Sequence, residues 1–516
     1  MADNRKESKK EFLKKILYVL LVVMVYSSAV YFFSFITADT DLWGHIKFGK
    51  ELWESKSLPR FDLYSYTAYG REWINHEWLS ELLMYWVYNT FGSPGLLMGK
   101  ILIGFAIISV LSLICLHRKC HPLIYGIIFV ASVFIMSPGF MTRPQVFTFL
   151  FTSFFLLVFH LYLERKVNLL WSLPLIMILW VNSHGGFLIG VGLFPVLAAC
   201  EIISYFIKKK DRRYLRDLIL WLILTEVSIL INPYGLRLLN FLYESLSVAR
   251  NISEWGPISI FDFSYMRLKI LAILVILSLF IAKKRNRYWE IGIIIIAMVY
   301  AFLHQRHTPI FAIIAAPFLT EKLSWLVKQI RLFDRINSSP NYLVMNIFII
   351  LLIGYQISYT TNKYIKAGFN IIVDPRVYPV YAVHFLKENN IKGNILLPFE
   401  WGEYAIWKLY PDCKVSIDGR FRTVYPKKVI DDHFEALRSK ERWMELLDKY
   451  PSDIILARRN PLSEKMIDMR RGWIYVYSDT ISMIFLKARE TQKEILKKLR
   501  GKELIYPKTE LSKYFP

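Results

Sequence analysis

The chain has 516 residues, 54% of them hydrophobic and 16% aromatic, with a mean hydropathy of +0.33 and a formal net charge of +23. The apolar residues run in blocks of about 16 to 24, the length that crosses a bilayer core of about 30 Å as helix, which excludes an ordinary soluble globule. The charge does not mark a nucleic-acid protein, because Lys and Arg are scattered in short clusters between the apolar blocks rather than gathered on one module.

The first apolar block, 12–36, follows a basic start and lacks a small-residue cleavage site, so it reads as a retained signal anchor. Eleven helical spans are predicted, at about 13–36, 94–116, 122–141, 145–163, 169–182, 185–207, 214–231, 268–282, 288–303, 308–320 and 341–359. With the N-terminus inside, the Arg118-Lys119, Arg165-Lys166, Lys208-Lys209-Lys210 and Lys283-Lys284-Arg285 clusters all fall on the inner side, with a basic amphipathic stretch at 321–335. That is how the positive-inside rule writes topology, and it sets the protein in the cytoplasmic (inner) membrane as a multi-pass chain with its C-terminal part outside.

Four cysteines, Cys115, Cys120, Cys200 and Cys413, have no metal-ligand spacing, and only Cys413 is expected outside, so no disulfide framework is implied. Residues 1–360 are expected to form the membrane bundle, with a first outer loop at 37–93. Residues 361–516 show soluble patterning. Strands are predicted at Asn394–Leu397, Lys414–Ile417, Asp453–Leu456, Trp473–Tyr477 and Ile481–Phe485, with helices at about 400–409 and 427–449. The fold class is therefore an α-helical polytopic membrane protein with a C-terminal extracytoplasmic α/β domain, its last 25 residues a loose charged tail.

The polar groups on the outer side are of another kind. Asp39-Thr40-Asp41 follows the first span, and in a turn both carboxylates can address one ligand, holding a divalent cation or supplying a general base. The competing reading is a helix cap, with Asp41 capping a helix from Leu42 and Asp39 solvated. Trp43, Ile46, Phe48, Leu52 and Trp53 with interspersed Lys predict a helix lying in the membrane interface. His76 and Glu77 begin a second such helix and fit acid–base, metal-binding or capping roles equally. Arg143, His184, Arg306 and His307 stand at helix ends on the same side, where each alone is explained by snorkelling or turn formation, and all together by an anionic ligand. The inner loops carry plain basic clusters only.

An Asp-x-Asp after the first span, a long aromatic first outer loop, about eleven spans and an outer α/β domain resemble the GT-C superfamily of membrane glycosyltransferases. More narrowly, the chain is similar to a prokaryotic branch placed with dolichyl-phosphate-mannose–protein mannosyltransferases. The strings that carry this are Asp39–His45, Leu58–Thr67, His76–Glu81, Arg143–Gln145, Trp180–Phe187, Asn232–Gly235, Glu400–Tyr404 and Ile417–Arg420. The His-Pro-Pro stretch common in the protein-mannosyltransferase group has no clear counterpart.

The resemblance implies transfer of a sugar from a polyprenyl-phosphate-linked donor to a glycan, lipid or protein acceptor outside the membrane. Asp39 or Asp41 would be the general base, with the pair as metal ligands if a divalent metal is used. His76, Glu77, Arg143, His184, Arg306 and His307 would bind donor phosphate or acceptor. Trp401, Tyr404, Asp418 and Arg420 would meet acceptor or partner, unless Trp401 and Tyr404 are core. Two other classes compete: a glycan polymerase or ligase, and a non-enzymatic membrane assembly or transport protein. The first usually gathers its Arg and His in a large late loop, whereas here the longest loop is the first. The second is expected to break its spans with polar residues or Gly/Pro near mid-bilayer, and spans such as 122–136 and 268–282 offer few.

Overall fold

The computed structural model describes residues 2–165, 167–208, 212–246, 253–330, 338–436, 440–460, 472–488, 493–501, 503–507 and 514–515. Lys209 and Lys210 of one basic cluster, residues 331–335 of the amphipathic stretch and residues 247–252 of the second outer loop lie outside them. The chain divides into two compact units, one of residues 1–35, 96–236 and 248–369, the other of residues 36–95, 237–247 and 370–516.

In chain order the helices are α1 (Ala2–Phe33), α2 (Leu42–Ser55), α3 (Trp78–His117), α4 (Pro122–Met136), α5 (Gln145–Arg165), α6 (Ser172–Val181), α7 (Phe187–Lys208), α8 (Arg212–Val227) and α9 (Leu236–Leu246). They continue as α10 (Met266–Ile281), α11 (Tyr288–Leu303), α12 (Thr308–Gln329) and α13 (Ser339–Lys366). All eleven predicted apolar segments are helical. Among the described residues, however, only eight helices are long and apolar enough to cross a membrane: α1, α3, α4, α5, α7, α10, α12 and α13. At 1.5 Å per residue, the 10-residue α6 reaches about 15 Å and the 16-residue α8 and α11 about 24 Å, short of a core of about 30 Å. The chain is a multi-pass membrane protein.

Helix α3 is not one rod. Gly92 takes φ +66°, ψ −162°, a conformation that a side chain disfavours, and Pro94 follows it. The break separates a shorter aromatic-rich first part of α3 from its longer apolar second part, close to where the hydropathy pattern predicts the span to begin.

In the first unit, α1 packs against α13 and α4 through Leu17, Leu21, Met24, Leu123, Tyr342, Ile349 and Ile353. Gln356 joins the same pair of helices, accepting from Ser27 Oγ at 2.7 Å and donating to Ser28 Oγ at 2.9 Å. The expectation that the inner loops carry plain basic clusters needs correction. Arg118, 4% exposed at its side chain, and Arg287 are both ion-paired with Glu164, Glu290 and Glu321, carboxylates drawn from three helices. Buried charges persist only when paired, so these arginines hold α5, α11 and α12 in register.

The second unit is built on a five-stranded sheet among the described residues: β1 (Gly393–Leu396), β2 (Cys413–Val415), β3 (Ile454–Arg458), β4 (Trp473–Ser478) and β5 (Ser482–Lys487), in the order β2-β1-β3-β5-β4. β1 is parallel to β2 and β3, and β5 is antiparallel to β3 and β4. The helix α14 (Val380–Glu388), before β1, is not among the predicted elements; all five strands and the helices between them, α15 (Gly402–Leu409), α16 (Lys427–Ala436) and α17 (Lys440–Lys449), follow the pattern read from the sequence.

The first-loop residues belong to this unit. Ser65 bridges Val415 in parallel, with Val415 N donating to Tyr64 O at 3.0 Å and Tyr66 N to Val415 O at 3.1 Å, so the loop covers the β2 edge. The C-terminal end is not a loose tail throughout: Phe515 is buried against Trp43, Tyr88 and Trp407.

Candidate functional site

The second unit carries the acidic pair. Asp39 and Asp41 lie in the turn entering α2, where Asp41 N donates to Asp39 Oδ1 at 3.1 Å and Leu42 N to Asp39 O at 3.2 Å. Asp41 occupies the N-cap position with φ −90°, ψ −8° and makes no side-chain capping hydrogen bond. The cap reading therefore does not describe its carboxylate. That carboxylate is directed at the C-terminal segment: the point where a Cβ on Gly419 would stand is 2.9 Å from Asp41 Oδ1 and 2.4 Å from Glu403 Oε1.

Glu403, near the start of α15 and 4% exposed, turns its other oxygen to Gly44, whose N–H it accepts at 3.0 Å. A methyl group on Gly44 would meet that oxygen at 2.3 Å, so only glycine admits the approach. Burial, then the nearby charges of Asp41 and Asp418, push the Glu403 carboxyl well above the usual carboxylate range. Asp41 stands beside this carboxyl.

His45, one turn into α2, is buried and faces the start of α3. Its Nδ1 is 3.3 Å from Glu81 Oε1 and 4.0 Å from Glu77 Oε2, and Asn75 Nδ2 donates to Glu81 Oε2 at 2.6 Å. Burial acts to lower the imidazole pKa, but the Glu81 hydrogen bond and the charges of Glu77, Glu81 and Asp41 outweigh it and raise the value. Glu77 thus joins His45 and Glu81. His76 is peripheral to them, its Nε2 3.9 Å from the other Glu77 oxygen and its ring against Phe241.

Asp418 and Arg420 are not surface contacts for an acceptor. Arg420 is buried among Asp62, at 2.7 Å, Asp418, at 2.6 Å, and the rings of Phe48, Tyr64 and Trp73. Tyr425 Oη donates to Asp418 Oδ2 at 2.5 Å. This latch ties the first loop to the segment that carries Gly419. Trp401 and Tyr404 are core, 0% and 3% exposed.

The first unit holds the basic residues. His184 Nδ1 accepts the Gly186 N–H at 2.9 Å and lies 2.8 Å from Thr148 Oγ1, which accepts the Trp180 indole N–H at 2.9 Å. With Nδ1 an acceptor, the imidazole proton is assigned to Nε2, which faces Arg306 Nη2 at 3.2 Å. Both side chains are of the kind that donates N–H to an anionic oxygen. Arg306 also lies over Trp255, 5.6 Å from the ring centroid, and His307 packs edge-on to the same ring at 6.0 Å. Arg143 reaches Glu254 at 3.5 Å. All four predicted residues of this unit therefore border His184 or the Glu254-Trp255 turn.

No family model matches the sequence, and no curated protein matches it. Solved structures do. The Archaeoglobus fulgidus oligosaccharyltransferase in the apo form aligns with a TM-score of 0.59 at 11% identity, over 92% of this chain and 74% of that one. The Archaeoglobus fulgidus oligosaccharyltransferase AglB, in complex with an inhibitory peptide and a dolichol-phosphate, gives 0.57 at 11% identity over 93% and 75%. ArnT from Cupriavidus metallidurans in the apo state gives 0.50 at 12% identity over 91% and 97%.

The chain has the GT-C fold.

Within this GT-C chain, the side chains that sequence reasoning passed over are His45, Glu81, Asp62 and Glu403. Each sits in a string quoted for the resemblance, but nothing in local spacing pairs Glu403 with a residue 359 positions earlier. The one available signal was the glycine in Trp401-Gly402-Glu403 and Asp418-Gly419-Arg420, since glycine beside a charged residue permits close backbone approach.

Proposed function

We propose that this protein is a membrane glycosyltransferase that moves a sugar from a polyprenyl-phosphate-linked donor to an acceptor on the outer face of the cytoplasmic membrane. The observation that carries the reading is Asp41, the N-cap residue of α2, whose carboxylate makes no capping hydrogen bond and is held beside the buried Glu403, in a chain of GT-C fold. In the reaction, Asp41 or Asp39 accepts the proton of an acceptor hydroxyl, the oxygen attacks the anomeric carbon, and the bond from that carbon to the phosphate oxygen breaks. The electron pair leaves with the polyprenyl phosphate, so no nucleotide is required. Arg306 and His184, in the first unit, are side chains of the kind that binds a phosphate oxygen.

A lipid-linked donor is further supported by AglB, which was captured with a dolichol-phosphate and a peptide. The outer-face assignment rests on the inner basic clusters of the sequence. The direct test in cells is Asp39→Asn and Asp41→Asn singly, followed by glycan analysis of the host surface. The reading requires that at least one variant lose a glycan while inserting normally; unchanged glycans in both would refute it.

A further inference from the structure

Beyond the transferase reading, and independent of it, stands the cluster of side chains between α2 and the start of α3. His45 Nδ1, one oxygen of Glu77 and one of Glu81 all lie within 4.8 Å of one another, from residues that are buried, half-buried and buried. The His45 Nδ1 to Glu81 Oε1 separation, 3.3 Å, matches the ligand–ligand edge of about 3.3 Å that follows from Zn–N and Zn–O bonds of about 2.0–2.1 Å in a tetrahedron. The third donor, Glu77 Oε2 at 4.0 Å, needs only a small carboxylate rotation to close.

Charge gives a second and separate argument. His45 lies in the field of three carboxylates, Glu77, Glu81 and Asp41. Three carboxylates gathered around one imidazole in a largely buried place form a donor set that a divalent cation can neutralise. Asn75 completes the pattern seen around such ions: it donates to Glu81 Oε2, the oxygen turned away from His45, and so fixes the carboxylate's orientation.

We propose that His45, Glu77 and Glu81 bind one divalent transition-metal ion of the Zn2+ class, with at least one coordination position open to water or ligand. One imidazole nitrogen with two carboxylate oxygens selects that class over Mg2+ and Ca2+, which take oxygen ligands in sixfold or higher shells. The site's three ligands are other residues than the Asp39 and Asp41 to which sequence alone points for a metal, although His45 stands one helical turn from Asp41. The site clamps the two helices of the first loop.

The test uses the full chain purified in detergent, stripped with a chelator and titrated with Co2+ as the spectroscopic probe. The expected result is saturable binding of one Co2+ per chain, with visible absorption of nitrogen–oxygen ligation, displaced by Zn2+ and not by Mg2+. Glu77→Gln is the deciding variant, because it leaves the His45–Glu81 and Asn75–Glu81 contacts intact and so preserves the fold; it should weaken Co2+ by at least about tenfold. His45→Gln should remove the nitrogen-ligated spectrum. The proposal is overturned if Co2+ does not saturate, if binding is unchanged in Glu77→Gln, or if Asp39→Asn abolishes it while Glu77→Gln does not. Because the readout is metal binding and not transfer, failure here leaves the transferase reading standing, and the reverse.

Discussion

Glu403 accepts the backbone N–H of Gly44 at 3.0 Å, a bond between residues 359 positions apart that seats the start of α15 against the first turn of α2. The contact exists because Gly44 has no side chain.

Glycine substitutions should therefore separate into two grades. A Cβ on Gly402 would stand 2.2 Å from Ile417 O, and one on Gly49 2.1 Å from Glu81 O, both backbone atoms that cannot move aside. Gly402→Ala and Gly49→Ala should each cost about 1–3 kcal/mol or more, seen as a lower unfolding temperature of the detergent-solubilised protein. In Gly44→Ala the obstacle is the end of the Glu403 side chain, at 2.3 Å, so stability should fall less while the Asp41 environment is lost. Glu403→Gln, which keeps the shape and an oxygen able to accept the Gly44 N–H, should be milder than any of the three.

Arg420 should behave as a buried ion-pair centre. Arg420→Ala leaves Asp62 and Asp418, both 0% exposed, without their cation and should cost about 3–5 kcal/mol. Arg420→Lys should recover little of this, since an ammonium cannot reproduce the forked contacts to two carboxylates or the stacking on Tyr64 and Trp73. Protease susceptibility of the first loop is a direct readout.

On the proposed reading, Arg306→Ala and His184→Ala should weaken use of the lipid donor. Each should raise its KM by about tenfold or more, the worth of one charge-assisted hydrogen bond to phosphate, while the acceptor KM stays put. Arg306→Lys should recover part of the loss, which steady-state kinetics with donor varied at fixed acceptor would show.

His433 predicts an acid-sensitive second unit. It is buried in α16, with Nδ1 at hydrogen-bond distance, 2.9 Å, from Val429 O and Nε2 without a partner, and burial lowers its pKa from 6.5 to about 4. The imidazole is neutral when folded, so the unfolded chain binds the extra proton first. Stability from this group is complete above about pH 6.5 and is lost as pH falls toward 4, by about 3 kcal/mol in all. Thermal unfolding of the wild type at pH 7 and pH 5 should show a drop that His433→Gln lacks.

Much of the architecture was legible because hydropathy and period report directly on helices and strands. The five strands of the second unit and the helical character of every apolar block follow from those patterns. The count of eleven crossings is not confirmed, because α6 and α11 are apolar but short and α8 is short with a charged first turn, and hydropathy does not measure end-to-end reach. The acidic pair and the basic outer residues were found as types at positions. Their partners were not: Glu403 with Asp41, Arg420 with Asp62 and Arg118 with Glu164, Glu290 and Glu321 are long-range pairs that leave no local periodicity. Arg118 shows the point best, since a lysine-flanked arginine after a span reads as a topology signal and is in fact a buried ion-pair centre.

The central claim is that Asp39 or Asp41 is the base for transfer from a lipid-linked donor. The most direct measurement reconstitutes wild type, Asp39→Asn and Asp41→Asn in liposomes with a panel of polyprenyl-phosphate-linked hexoses and pentoses, and follows release of polyprenyl phosphate in the presence of host membrane extract as acceptor. The account predicts acceptor-dependent release by the wild type with at least one donor, cut by about a hundredfold or more in one of the two variants with donor binding retained. Release that is equal in all three proteins, or absent with every donor, would contradict it.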